Sequence, residues 1–125
     1  MSGMTPLDVF QITPTFGMFT GGFGFFYGTR KIGATVIPAS AGFSKRQIQF
    51  MKDFGTTMVA AIVSYLLRLA EVADEMGVDL AKDTKVRKGI VGSEIWTPEM
   101  GRKICKEAVK DPELYVYCGV DVAAP

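Results

Sequence analysis

Short continuous apolar runs alternate along this chain with stretches of helical period. Val9–Ile12, Thr35–Ala39, Thr57–Val63, Gly89–Gly92 and Leu114–Tyr117 are runs of the first kind, and each reads as a strand buried on both sides. Between the first two, a glycine–aromatic stretch reads as a helix that runs to about Lys31 and is closed by Gly33. Ser44 and Gln47 have the spacing of a capping box, opening a helix with Ile48, Met51 and Phe54 on one face and Gly55 past its end. Ser64 is placed to cap a third helix, whose Leu66, Leu67, Leu69, Ala70, Ala73 and Met76 form a broad apolar face that stops at Gly77. Asp79–Lys88 reads as a charged connector. Thr97 as N-cap and Pro98 at the first helical position open a fourth helix carrying Met100, Ile104 and Ala108, which Asp111-Pro112 stops.

Five strands alternating with four helices predict an α/β fold. The expected form is a three-layer, doubly wound, mainly parallel five-stranded sheet with helices on both faces, in a single domain over residues 1–125. Open parallel sheets bind ligands beyond the carboxyl ends of their strands. The loops Thr13–Phe19, Ala39–Phe43, Val63–Tyr65, Gly92–Trp96 and Cys118–Val122 therefore belong to one edge, and the unusual residues of the chain concentrate in them.

Composition narrows the chemistry. The chain's 125 residues suit one domain, and a net charge of +1 with scattered Lys and Arg gives no footprint for nucleic acid or an anionic membrane. Val9–Tyr27 is apolar, but Gln11, Pro14, threonines and glycines interrupt it, so a spanning helix is not expected. With no histidine, a histidine triad, a zinc–histidine site and a histidine proton shuttle are excluded. Cys105 and Cys118 lack metal-type spacing, and no basic-then-apolar leader opens the sequence. The expectation is a cytoplasmic protein with reduced thiols. A mean hydropathy of +0.21 with seven Met and nine Phe is high for a small monomer and points to apolar surface meant for another chain, either a completing chain or a second copy in a homo-oligomer.

Three segments carry candidate chemistry. Phe16–Gly28 holds six aromatic residues and five glycines, the make-up of a pocket that brings backbone close to a small aromatic molecule, or of a buried glycine-rich helix start. Gly92-Ser93-Glu94-Ile95-Trp96 leads from a strand into a capped helix, either an ordinary strand–turn–helix or a turn whose backbone groups read the edge of a planar base. Tyr115-Val116-Tyr117-Cys118-Gly119-Val120-Asp121 ends a strand either as a frayed terminus or with a ring that can stack on a base and an acid that can reach a metal-bound phosphate. Other nucleotide motifs fail. Gly22-Phe23-Gly24 with Gly28 has one residue too many for a dinucleotide fingerprint, and the second strand ends without a ribose-binding acid. Val63-Ser64 stands where a phospho-receiver domain needs an aspartate, and no phosphate-cradling Gly-Lys-Ser/Thr loop is present.

Together these elements resemble the phenylacetate–coenzyme A ligase family of AMP-forming, adenylating enzymes. The resemblance runs in order through Phe16–Gly28, Gly33–Ser40, Arg46–Gln49, Asp53–Gly55, Ser64-Tyr65, Leu69–Gly77, Gly92–Trp96 and Glu99-Met100. It implies activation of an aryl-acetic acid by ATP and Mg2+ to an acyl-adenylate, which the thiol of coenzyme A then attacks. It implies that Phe16, Phe19, Gly21, Gly22 and Phe25 wall the pocket for a small aromatic carboxylic acid. By the same resemblance Gly92, Ser93, Glu94 and Tyr117 contact the adenine and ribose of the nucleotide, and Asp121 is the Mg2+-linked acid.

The sequence departs from the family pattern at several positions. Val120 replaces a hydroxyl residue, Asp121 a glutamate and Cys118 a glycine. Phe25 stands where a small residue is usual, narrowing the aryl pocket, and Phe26 where a histidine is usual. The family's triphosphate loop would lie before residue 1 and its carboxy-terminal lysine domain after Pro125, so the chain corresponds to the central subdomain and is expected not to turn over alone. A non-catalytic module that holds an aromatic acid or nucleotide is the rival reading, which Val120 favours.

Overall fold

The computed structural model describes residues 3–18, 20–95, 97–107 and 113–116. The elements follow in the order β1 (Val9–Ile12), α1 (Thr20–Ile32), β2 (Thr35–Ile37), α2 (Ser44–Asp53), β3 (Met58–Ile62), α3 (Val63–Glu75), α4 (Leu80–Asp83), β4 (Lys88–Gly92), α5 (Pro98–Glu107) and β5 (Glu113–Val116). The strands form one parallel sheet in the order β2-β1-β3-β4-β5. The chain thus steps outward from β1 in one direction to β2 and in the other to β3, so the sheet has a topological switch point between β1 and β3.

Side-chain alternation divides the core. Phe10, Ile12, Met58, Ala60 and Ile90 point to one face, where Phe16, Phe25 and Phe26 pack against them from α1 and the loop before it. Val59, Ala61 and Val91 point to the other, against Ile48 and Met51 of α2, Leu66, Leu69 and Val72 of α3, and Leu80 of α4. The first layer is thin and aromatic, the second broad and aliphatic. Burying a leucine or isoleucine completely, as at Leu69 and Ile48, contributes about 1.5–3 kcal/mol each. Helices α1, α2 and α3 end alike. Gly33, Gly55 and Gly77 take left-handed φ values of 87°, 64° and 69°, and the next amide turns back to the carbonyl five residues earlier (Ala34 to Thr29, Thr56 to Met51, Val78 to Ala73).

Four local expectations are corrected. Ser44 and Gln47 form no capping box. Ser44 is already helical, Phe43 takes the N-cap position in a left-handed conformation without a side-chain cap, and Gln47 turns inward to Gln11. Ser64 lies inside α3 rather than capping it, because the carboxylate of Glu94 accepts from its amide and its hydroxyl. Phe54 is exposed past the end of α2 and meets Phe50 at 5.4 Å instead of the core. The charged connector contains α4, capped by the Asp79 carboxylate on the amides of Ala81 and Lys82. The expected stop at Asp111-Pro112 lies outside the described residues.

At the amino ends of the strands Asp8 is buried. Its carboxylate accepts from the Thr5 amide at 2.8 Å, the Thr57 hydroxyl at 2.8 Å and Lys88 Nζ at 3.2 Å, and Arg87 lies at 3.4 Å. Burial alone would raise the Asp8 pKa. The Thr5 amide, the Thr57 hydroxyl and the Lys88 ammonium outweigh it, and the group lies below the ordinary aspartate value.

Candidate functional site

At the carboxyl ends of the strands a cleft of about 420 Å3 opens over the switch point. Thr13, Pro14 and Thr15 wall it from the loop after β1, and Ala41 and Gly42 from the loop after β2. Ile62 and Tyr65 come from the β3–α3 junction, and Ser93 from the turn after β4. Four of the loops that the sheet order assigns to this edge therefore meet in one place, while Cys118–Val122 lies outside the described residues. Among the described residues the lining carries no charged side chain, which suits a flat, uncharged ring.

The loops are fixed by main-chain bonds and by strain. The Thr13 amide and hydroxyl both donate to the Ala60 carbonyl, at 3.1 and 2.7 Å, joining β1's exit to β3. The Ser40 amide donates to the Ile12 carbonyl at 3.0 Å. Ser40, Phe43 and Ser93 have φ values of 60°, 54° and 65° and are the non-glycine residues with left-handed backbone among those described. All three stand on this edge. Such conformations persist only where the surroundings enforce them, and they cluster at ligand sites.

The residues singled out in the sequence divide into three groups. Gly92 ends β4 and is buried, Ser93 lines the cleft, and Glu94 spans to α3, its two oxygens 2.7 Å from the Ser64 amide and 2.6 Å from its hydroxyl. That carboxylate stabilises the start of α3, where amides and dipole attract negative charge, and it clasps two walls of the cleft together. The second group sits beside the cleft, not in its lining. Phe16 meets Phe23 and Phe26 edge-on, at 5.5 and 6.2 Å, and Phe25 meets Phe10 edge-on at 5.8 Å in the thin core layer. Gly21 is half-buried. Gly22 is buried so tightly against the first wall that a Cβ there would lie 2.7 Å from the Thr15 carbonyl oxygen. The third group, Phe19, Tyr117 and Asp121, lies outside the described residues.

Thr13, Thr15 and Gly42 carried no signal in the sequence beyond their position just past a strand, Ile62 none beyond ending β3, and Tyr65 only its place in the ligase-like Ser64-Tyr65 pair. Among the described residues no cluster of three or more Cys, Asp or Glu could hold a metal, and no helix is long and apolar enough to cross a membrane.

No protein-family model matches the chain. Individual proteins do. A phenylacetate-coenzyme A ligase of Pseudomonas putida is 40% identical over 97 residues, which is 78% of this chain and 22% of that protein. A phenylacetate-coenzyme A ligase of Escherichia coli (strain K12) is 38% identical over 104 residues, 82% of this chain and 24% of that protein. This chain is a relative of the phenylacetate–coenzyme A ligases. It spans about a quarter of their length. Among solved structures, 2-hydroxyisobutyryl-CoA ligase in the postadenylation state, in complex with 2-HIB-AMP, superposes with a TM-score of 0.82 at 22% identity, over 98% of this chain and 26% of that one. The same ligase with 2-HIB-AMP and CoA gives a TM-score of 0.81 at 22% identity, over 93% of this chain and 24% of that one. The α/β sheet described above is thus the fold of a segment of adenylate-forming ligases, and the ligase-like glycine–aromatic stretch of the sequence is its first loop and first helix.

Proposed function

We propose that this chain supplies the central part of an AMP-forming acid–coenzyme A ligase, acting on an aryl-acetic or similar aromatic acid through an acyl-adenylate. The observation that carries the reading is the uncharged cleft over the β1/β3 switch point, bounded by the loops that the ligase-like motifs occupy. The relatives' name supplies the substrate class, and the neighbour solved with an acyl-AMP and CoA supports the two-step route. Catalysis of this kind rests on positioning and charge stabilisation rather than on a protein nucleophile. In this reading Ser93 and the Gly92 backbone flank the adenine, Glu94 acts there from its clasp on α3, and the ring-bearing end of the acid enters between Thr15 and Tyr65. Phe16, Gly21, Gly22 and Phe25 support the first wall from behind, Phe25 narrows the room for the ring, and Phe19 keeps the acid-pocket role that the resemblance implies. Tyr117 would stack on the base.

The described residues offer no acidic cluster for Mg2+. The reading gives that role to Asp121 together with the nucleotide's own phosphates, the usual way magnesium is held at such sites. ATP and coenzyme A are cytoplasmic substrates, so the proposed compartment is the cytoplasm. Calorimetric titration of the pure chain with phenylacetate and, separately, with ATP·Mg2+ tests the proposal. Saturable binding of either near or below the millimolar range supports it, and silence with both from a folded sample rejects it. The non-catalytic alternative is favoured by Val120 and Cys118, which depart from the adenylating pattern. Binding without adenylate formation after the chain is joined to an intact ligase's flanking segments would select it.

A further inference from the structure

Two glutamines lie buried between the sheet and α2. Gln11 sits in β1 between Phe10 and Ile12 and is 0% exposed, and Gln47 in α2 is 1% exposed. Their amides form a relay. The Thr56 hydroxyl donates to Gln11 Oε1 at 2.9 Å. Gln11 Nε2 donates to Gln47 Oε1 at 2.6 Å and to the Gln47 carbonyl at 3.1 Å. Gln47 Nε2 then donates to the carbonyls of Ser40 at 2.6 Å and Gly42 at 3.3 Å.

Burying an amide is costly unless it is hydrogen-bonded, and an apolar pair of the same volume would fill this space without that cost. The core alone therefore gives no reason for the pair. The end point of the relay does. Ser40 and Gly42, with φ of 60° and 88°, flank Ala41, and Ala41 and Gly42 are the cleft's second wall. Apart from the relay, the Ser40 amide on the Ile12 carbonyl is the bond that ties this turn to β1.

We propose that Gln11 and Gln47 are positioning residues: their amide relay holds the left-handed turn at residues 40–43 in its strained form, so that the second wall of the cleft is set before a ligand arrives. A preformed wall spares the ligand the entropy of ordering it, which appears as affinity. The inference rests on the cleft being the acid-binding part of the ligase reading.

The test compares Gln47→Met with Ile48→Val, a neighbouring core change that leaves the relay intact. Amide exchange is read at Ser40 and across β3, global stability by urea, and phenylacetate affinity by calorimetry. The relay predicts that Gln47→Met speeds Ser40 exchange by about tenfold more than it speeds β3 exchange, a local opening of the turn. It also predicts weaker phenylacetate binding, whereas Ile48→Val moves both exchange rates together. Should Gln47→Met fail to fold, Thr56→Val breaks the relay at its far end, and the same Ser40 excess is expected. Equal changes at Ser40 and β3 in the relay variants overturn the proposal. So does unchanged phenylacetate affinity when the parent chain binds. If the parent chain binds no phenylacetate, the ligase reading loses its ligand, and the Ser40 excess alone decides whether the relay positions the turn.

Discussion

At the amino ends of the strands a buried carboxylate is met by an amide, a hydroxyl and an ammonium, and the left-handed positions nearby, Gly3, Gly33 and Gly55, are glycines, which take that conformation without strain. At the carboxyl ends the polar groups serve the loops, and among the described residues the cleft lining has no charge and three non-glycine residues hold left-handed conformations. One edge satisfies its polar groups among themselves, and substitutions there register as lost stability. The other leaves an apolar concavity and enforces strain around it, and under the proposed function changes there are expected to register as altered binding.

Asp8→Ala carries the largest expected effect on this contrast. It leaves Lys88 buried beside an empty partner, and breaking a buried pair in this way costs about 3–5 kcal/mol. The folded Asp8 pKa is depressed, so its contribution is present above the ordinary aspartate value and is lost as pH falls through the folded value. Urea midpoints measured from neutral to acid pH should fall steeply for the parent chain and less for the variant. A variant as stable as the parent at neutral pH would show that the amino edge does not hold the sheet.

Gly22→Ala probes the other edge. Alanine improves helix propensity by about 1 kcal/mol, but its Cβ would press on the Thr15 carbonyl, a backbone atom that cannot rotate away. Overpacking of this kind costs about 1–3 kcal/mol. The net expectation is a loss of stability together with weaker phenylacetate binding, because the displaced strand exit is the cleft's first wall. A stabilised variant with unchanged binding would show that the helix and the cleft are uncoupled.

Much of the scaffold was legible because its signals are local. Met58–Ile62 is apolar without interruption and Val9–Ile12 apolar but for Gln11, as a doubly covered sheet demands, and Gly33, Gly55 and Gly77 mark helix ends through a conformation that other residues avoid. What escaped was set by distant partners. Ser44 and Gln47 have capping spacing, yet Gln47 finds Gln11 across 36 residues. Glu94 reaches Ser64 across 30, and Asp8 reaches Lys88 across 80. A glutamine inside an otherwise apolar strand was the available clue to the relay, since buried amides need partners. The site followed the same rule. The expectation of a parallel sheet predicted the edge, but only the folded chain showed that Phe25 packs on Phe10 while Tyr65 and Thr15 line the cleft.

Glu94→Ala removes the carboxylate from the start of α3. Loss of such a cap costs about 0.5–2 kcal/mol. Because Glu94 also joins the turn after β4 to α3, binding of ATP·Mg2+ should weaken as well. Glu94→Gln keeps an oxygen for the Ser64 amide and should recover most of the stability. Equal stability of both variants and the parent would remove the clasp from the account of the cleft.

The smallest effect is expected at Ser93. Its left-handed backbone costs roughly 1–2 kcal/mol relative to an ordinary conformation. Ser93→Gly relieves that strain but adds about 0.5–1 kcal/mol of backbone entropy to be lost on folding. The two nearly cancel, so the urea midpoint should move little, and upward if at all. Ligand binding should behave differently, because a glycine turn no longer fixes the wall of the cleft that Ser93 forms. Near-constant stability with reduced affinity is therefore the signature of an edge where strain serves the ligand. A clear rise in stability with unchanged affinity would mean that the turn after β4 is strained for no purpose connected with the cleft.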